Sequence, residues 1–287
     1  MLTDRSQRWR DRRDRYVPAA TVIDPKAYSV DIIECMKTAK PFVLKQHYSQ
    51  SFPASRLSCG LFRNGPAGRS ELVGVATFSV PMNNAAITKH TGIICHRHGA
   101  ELGRFVLLDS VPGNGESFFL SRAIKLLRRE KPEIVSLISY ADPMRRLGPA
   151  GNIIAPGHVG ALYAVAGAHY RGRSSPRYEA FTPDGQLFSE RALSKIRNAE
   201  SGIGYAVDEL VRRGAPHPSG NEREWLSMLF EQGFFTKRRH NGNHVYAFPL
   251  TKAAKMAGRK LPRLEYPVLD RSLTGNDVTA LPLLQAA

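Results

Sequence analysis

The order of elements between residues 101 and 169 constrains this chain more than any other feature. Glu101–Asp109 (ELGRFVLLD) is apolar apart from Arg104 and its two ends, and reads as a buried strand. SVPGNGE follows as a turn-rich connector, and Ser117–Arg129 (SFFLSRAIKLLRR) has the spacing of a helix with a basic end. Ile134–Tyr140 (IVSLISY) reads as a second strand, closed by Ala141-Asp142-Pro143. Gly157–His169 (GHVGALYAVAGAH) predicts a helix of small residues. Strand, helix, strand, helix in this span forms an α/β unit, a sheet covered by helices.

The flanks are read with the same rules. Asp31–Lys40 carries Ile32, Ile33 and Met36 and predicts a short amphipathic helix. Leu57–Arg63 and Leu72–Val80, separated by NGPAGRS, predict a β-hairpin. Tyr178–Phe181 is a strand candidate, and Arg191–Asn198, Tyr205–Arg213 and Glu222–Gln232 are helix candidates. Phe234–Arg238 and Val245–Phe248 flank Asn241-Gly242, a hairpin signal. The division predicted is a flexible basic arm at 1–27, a core at 28–200, a helix and hairpin extension at 201–260 that completes the core or contacts DNA, and a tail at 261–287.

Charge narrows the partner. Lys and Arg total 41 against 25 acidic residues, a net +16. The basic residues gather in patches that include Arg10, Arg12 and Arg13, then Arg171 and Arg173, then Lys237, Arg238 and Arg239. Arginine forks suit phosphate oxygens, so a polyanionic partner, nucleic acid, is expected and these residues are the expected contacts. No run approaches the roughly 18 apolar residues of a membrane span. The polar start lacks an apolar signal core, and three widely spaced cysteines suit a reducing compartment, so a cytoplasmic location is expected. Cys95-His96-Arg97-His98 lacks a second half-site and reads as a polar loop.

Several ordered motifs carry a family resemblance. ELGRFVLLDSVPGNGESFFLSRAIKLL, then SLISYADP, then GHVGALYAVAGAHYRG, with His47-Tyr48-Ser49 upstream and HVYAFPL near the end, resembles the Mom family of phage DNA-modification proteins. Those motifs are the family's Arg-bearing strand, its N-x-E-S loop, its Y-A-D-P strand end and its G-H-x-G-x-x-Y helix. The match runs over roughly residues 40–200. The resemblance implies a GNAT-like fold: a mixed, mostly antiparallel sheet flanked by helices, in which one strand splays from its neighbour and the acyl donor enters the opening. It also implies acyl transfer to the exocyclic amine of adenine, giving N6-carbamoylmethyladenine, which shields phage DNA from restriction in the bacterial host.

The resemblance nominates residues. Asp142, at the end of a buried strand, would take or position the amine proton, whereas Asp-Pro alone reads as a turn cap. Arg104, inside an apolar strand, needs a partner and would hold Asp142 or an anionic donor. His47 would act as base or metal ligand, and Tyr48 would stack on a flipped base. Tyr163 would protonate the leaving group or simply fill the core. Asn114, Glu116, Ser117 and Ser121 would meet the donor, although N-capping explains a serine there equally well. SVPGNGES departs from the superfamily's R/Q-x-x-G-x-G/A cradle for coenzyme A pyrophosphate, and Glu116 would oppose a phosphate.

The product sets a stoichiometric condition. Acetyl transfer from acetyl-coenzyme A needs a separate nitrogen source. A glycyl group from glycyl-tRNA gives N–CO–CH2–NH2, an isomer of the product. Attack of its free amine on ring carbon 6 then yields N–CH2–CO–NH2. An iron ion is left open. Two other classes also stand: a silent fold that coats nucleic acid, and an acyltransferase for proteins or small amines.

Overall fold

The computed structural model describes residues 5–10, 13–18, 22–147, 151 and 153–267. Contacts divide the chain into two compact units. The first comprises residues 1–146, 153–174 and 243–287, and the second residues 147–152 and 175–242. The division therefore falls at Ser174 rather than at residue 200, and the chain returns to the first unit at Asn243.

The first unit begins with a strand pair, β1 (Arg5–Arg10) and β2 (Arg13–Pro18). A flexible arm is the sequence expectation for this stretch. The two strands pair along their whole length, from Arg5 opposite Pro18 to Arg10 opposite Arg13. β3 (Tyr28–Ile33) replaces the helix expected from Asp31, because Val30, Ile32 and Ile33 pair along β4 (Ser55–Asn64). Helical geometry starts only at Cys35, where the Glu34 carboxylate caps the Lys37 N–H, and continues into α1 (Lys40–Gln46). β4 and β5 (Ser70–Ser79) form the expected hairpin. α2 (Asn84–Thr91) follows, capped by the Asn83 side chain and ended by Gly92.

β6 (Gly99–Leu107), α3 (Gly115–Glu130) and β7 (Ser136–Ala141) match the strand–helix–strand reading. α3 buries Phe119, Ala123 and Leu127, one residue per helical turn, and stops before Pro132. Burial of each large side chain of this kind contributes about 1.5–3 kcal/mol. Two short strands, β8 (Arg146–Leu147) and β9 (Ile153–Ala155), lead to α4 (Ala161–Val165) and β10 (His169–Arg173). The helix predicted over 157–169 is thus one short turn plus the start of a strand, because Gly157, Gly160 and Gly167 all take positive φ.

The chain then builds the second unit from β11 (Arg177–Phe181), α5 (Glu190–Arg197), α6 (Gly204–Arg212), α7 (Glu222–Glu231) and β12 (Thr236–His240). Its own core contains Phe188, Leu193, Ile196, Leu210, Trp225, Leu229 and Phe235. β12 pairs with β11, not with the strand after the Asn-Gly turn. That strand, β13 (His244–Pro249), joins the first unit between β7 and β10, and α8 (Lys252–Gly258) follows.

The central sheet has seven strands in the order β10-β13-β7-β6-β5-β4-β3. Every pairing is antiparallel except β6 with β7, which is the mixed, mostly antiparallel sheet expected. α3 residues pack with Cys59, Leu61, Phe78 and Leu102 in the largest core cluster. Separate clusters join Val43 of α1 to Val75 and Val106, and Ile87 of α2 to Ile138 and Ala254.

Candidate active site

The parallel strands stay together for three residue pairs only, Gly99–Ser136, Ala100–Leu137 and Glu101–Ile138. Beyond Glu101 they part, which is the splayed geometry implied by the family resemblance. A β-bulge marks the place. Thr77 of β5 faces Arg104 and Phe78 faces Leu102, so Gly103 is the extra residue on β6. A Cβ there would lie 2.4 Å from Ser79 Oγ, so glycine is what allows β5 this close. The bulge also changes which side chains share a face. Glu101 opposes Ser79 and Arg104 opposes Thr77, two positions apart on β5, so Glu101 and Arg104 lie on the same side of the sheet. In an unbulged strand they would point oppositely.

Arg104 uses its guanidinium on the segment after α1. Its Nε donates to Ser51 O at 2.8 Å, Nη2 to Ser51 Oγ at 2.6 Å and Nη1 to Gly103 O at 2.5 Å. The ion pair on Asp142 comes instead from Arg146, whose Nη1 lies 2.9 Å from Oδ2. The Met144 N–H donates to Asp142 Oδ1 at 2.9 Å. Arg104 therefore fixes the loop that carries His47 and Tyr48, and Asp142 is oriented from its own strand end.

His47 and Tyr48 stack at 4.4 Å between ring centroids, and Tyr48 meets His158 edge-on at 6.4 Å. The Ser49 N–H donates to His47 Nδ1 at 3.1 Å. Burial, with Arg104 and His158 nearby, lowers the His47 pKa well below the ordinary value of 6.5. The ring is thus neutral at pH 7. With Nδ1 accepting from Ser49, the ring hydrogen is assigned to Nε2, which offers a donor. Burial also raises the Tyr48 hydroxyl, reinforced by Asp142 and Tyr163 and opposed by Arg104 and Arg146. Tyr48 is consequently within electrostatic reach of both the Arg104 and the Asp142 groups. His158, whose N–H donates to Asp142 O at 2.8 Å, is lowered by burial against the pull of Asp142.

Tyr163 of α4 is buried against Tyr246 and Phe248, with a hydrogen bond to Ser139, and burial raises its pKa. Ser139 donates to Leu102 O at 3.2 Å, across the opening from β7 to β6. Burial pushes the Glu101 carboxyl up to about 7, with Arg104 pulling against it. The strand opening thus gathers Tyr48, Arg104, Asp142 and Tyr163 from the sequence-predicted residues. It adds Glu101, Ser139, Arg146 and His158. An acid at the mouth of an apolar strand and the histidine of G-H-x-G were visible signals for two of these.

The loop before α3 is built differently from a phosphate cradle. Arg8 of β1 donates to Val111 O at 3.1 Å and Pro112 O at 3.2 Å, and is ion-paired with Glu116. The Ile23 N–H donates to Asn114 Oδ1 at 2.8 Å. Ser117 Oγ donates to Asn114 O and Ser121 Oγ to Phe118 O, both at 3.0 Å. In this structure Asn114 and Glu116 hold the N-terminal segment, and the two hydroxyls bond back to their own helix.

The basic residues separate into groups. Arg171, expected to meet DNA, directs its guanidinium at His90 O, Gly258 O, Leu261 O and Pro262 O, which ties α8 and its extension to β10. Its donors are committed within the fold. Arg173 is half-buried on β10. Lys237, Arg238 and Arg239 are exposed on β12 of the second unit. Arg10 and Arg13 lie on described strands, but their side chains, like the whole of Arg12, fall outside the described residues. None of the described helices is long and apolar enough to cross a membrane.

Comparison with known sequences agrees with the motifs. The sequence is 29% identical over 180 residues to the Methylcarbamoylase mom of Escherichia phage Mu, covering 62% of this chain and 67% of that one. Among solved structures, a tandem GNAT protein from the clavulanic acid biosynthesis pathway (without AcCoA) aligns over 77% of this chain and 70% of its own, with 12% identity and a TM-score of 0.32. Residues 27–268 match the Mom protein family, so the chain belongs to that family.

Proposed function

We propose that this chain modifies adenine in double-stranded phage DNA, transferring an acyl group to the exocyclic amine on the way to N6-carbamoylmethyladenine and so blocking restriction. The observation that carries this reading is the set of groups converging where β6 and β7 part, in a member of the Mom family. The donor carbonyl enters the opening between the strands. The paired amine of adenine is reached by flipping the base, at a cost of a few kcal/mol. The half-buried Tyr48 ring, already stacked on His47, offers the flipped base a platform. His47 Nε2–H is placed to donate, and Asp142, held by Arg146 and the Met144 N–H, orients the amine. Tyr163 keeps its proton at neutral pH and supplies it to the leaving group.

The structure bears on the donor. The loop before α3 presents Glu116 and is occupied by Arg8, which leaves a pyrophosphate little to bind there. This supports glycyl-tRNA over acetyl-coenzyme A, since a glycyl ester also supplies the nitrogen of the product. The exposed triad Lys237, Arg238 and Arg239 is the proposed contact with a nucleic-acid backbone.

Mass spectrometry of nucleosides from DNA of expressing cells tests the reading. Wild type should add the carbamoylmethyl mass to deoxyadenosine, and Asp142→Ala should not. Isotope-labelled glycine should enter the adduct. An adduct without label would remove the glycyl donor, and unmodified adenine would remove the function.

A further inference from the structure

The geometry points to Glu101 as the catalytic base that takes the proton lost by the attacking adenine amine. This rests on the proposed adenine modification. Glu101 is the last residue of β6 still paired with β7, so its side chain stands at the apex of the opening. The bulge at Gly103 sets it on the same face as Arg104. It is half-buried, and among the described residues its carboxylate makes no hydrogen bond or ion pair, although Arg104, Tyr140 and Tyr163 all feel its charge. Three Arg104 donors go to Ser51 and Gly103 and none to Glu101, so that cation acts on Glu101 through space.

The other carboxylate makes the contrast. Asp142 accepts from Arg146 and from a backbone N–H, bonds that fix its orientation. One carboxylate of the site is held by bonds and the other is not, and they divide the work: the bonded one orients, the unbonded one moves the proton. Burial that pushes Glu101 up to about 7 places it where a base acts best at neutral pH.

The step balances as follows. The amine nitrogen attacks the donor carbonyl and a C–N bond forms. The nitrogen's proton passes to a Glu101 carboxylate oxygen. The carbon–oxygen bond of the ester breaks, its electron pair leaves with the oxygen, and that oxygen takes the Tyr163 proton. Return of the proton from Glu101 to Tyr163 restores the site. The adenine amine is a weak nucleophile because its lone pair is shared with the ring, so proton removal must accompany attack.

The test compares wild type, Glu101→Gln and Glu101→Asp. Adenine adducts are counted in DNA from expressing cells, and the purified proteins are examined for binding to duplex DNA and for thermal melting at pH 8. Glu101→Gln should lower the adduct at least about a hundredfold, the scale of a lost general base, with DNA affinity unchanged and melting at or above wild type. Glu101→Asp should recover part of the adduct. Adduct within threefold of wild type in Glu101→Gln overturns the assignment alone, because the wild-type adduct still stands. An early melt for Glu101→Gln also overturns it, since the carboxylate would then be structural. A wild type that leaves adenine unmodified overturns both readings.

Discussion

Gly160 is a position where a single methyl group should be costly on two counts, backbone and packing. It precedes α4 with φ of 75°, in the left-handed region. A Cβ added there would lie 2.7 Å from Tyr246 Cε2, 2.8 Å from Tyr163 Cδ2 and 3.0 Å from Ala141 Cβ. Two of these atoms belong to packed aromatic rings, one of them Tyr163 at the strand opening. The Tyr246 hydroxyl is bonded to Val159 O, so that ring has little freedom to move away. For Gly160→Ala the left-handed backbone costs about 1–2 kcal/mol and the overpacking about 1–3 kcal/mol. The sum is a destabilisation of about 2–5 kcal/mol. Urea unfolding read from the near-UV dichroism of the Tyr163, Tyr170 and Tyr246 cluster would measure it. Gly204→Ala is the control. No atom lies within 4 Å of its added Cβ, its φ is ordinary and it opens α6, so it should be neutral or stabilise by up to about 1 kcal/mol. A loss below about 1 kcal/mol for Gly160→Ala would refute the reasoning from packing and backbone.

Two further outcomes follow from charge. The Glu101 carboxyl moves from 4.5 to about 7 on folding, so the native state holds its proton more tightly. The stability this contributes is fully present below about pH 4.5 and is lost as pH rises through 7. The ceiling is about 3 kcal/mol, and Glu101→Gln should flatten urea midpoints between pH 5 and 8; an unaltered pH slope would contradict this. Replacing Lys237, Arg238 and Arg239 together by Glu should weaken duplex binding uniformly across sequences. It should also reduce the log-affinity versus log-salt slope by up to about 3, as measured by fluorescence anisotropy; an unchanged slope would show that the triad does not meet phosphate.

What the sequence disclosed and what it hid have physical causes. β6, α3 and β7 were legible because each buries a continuous apolar face, and hydrophobic spacing is a local signal. β3 reads as helix because Ile32, Ile33 and Met36 fit a helical stripe, and only the pairing of Ile32 with Cys59 and of Ile33 with Ser58 decides for a strand. The place of β13 was hidden for a similar reason. Asn241-Gly242 signals a local hairpin, yet His244 pairs with Ala141, more than a hundred residues away. Asp142 and Tyr48 were found from motifs, whereas Arg146 and Ser51 carry no motif of their own. The same limit applies to charge: Arg171 and Lys237 look alike in sequence, but one binds four carbonyls of its own fold and the other is exposed.

Photo-crosslinking locates the chemistry most directly. Duplex DNA in which the target adenine carries an azido group would be irradiated with the full-length protein, and the labelled peptides identified by mass spectrometry. The base should label residues 47–53, 101–104, 139–142 or 158–163, the segments around the parting of β6 and β7. Label confined to residues 175–242, or scattered without preference, would contradict the placement of the nucleobase in that opening.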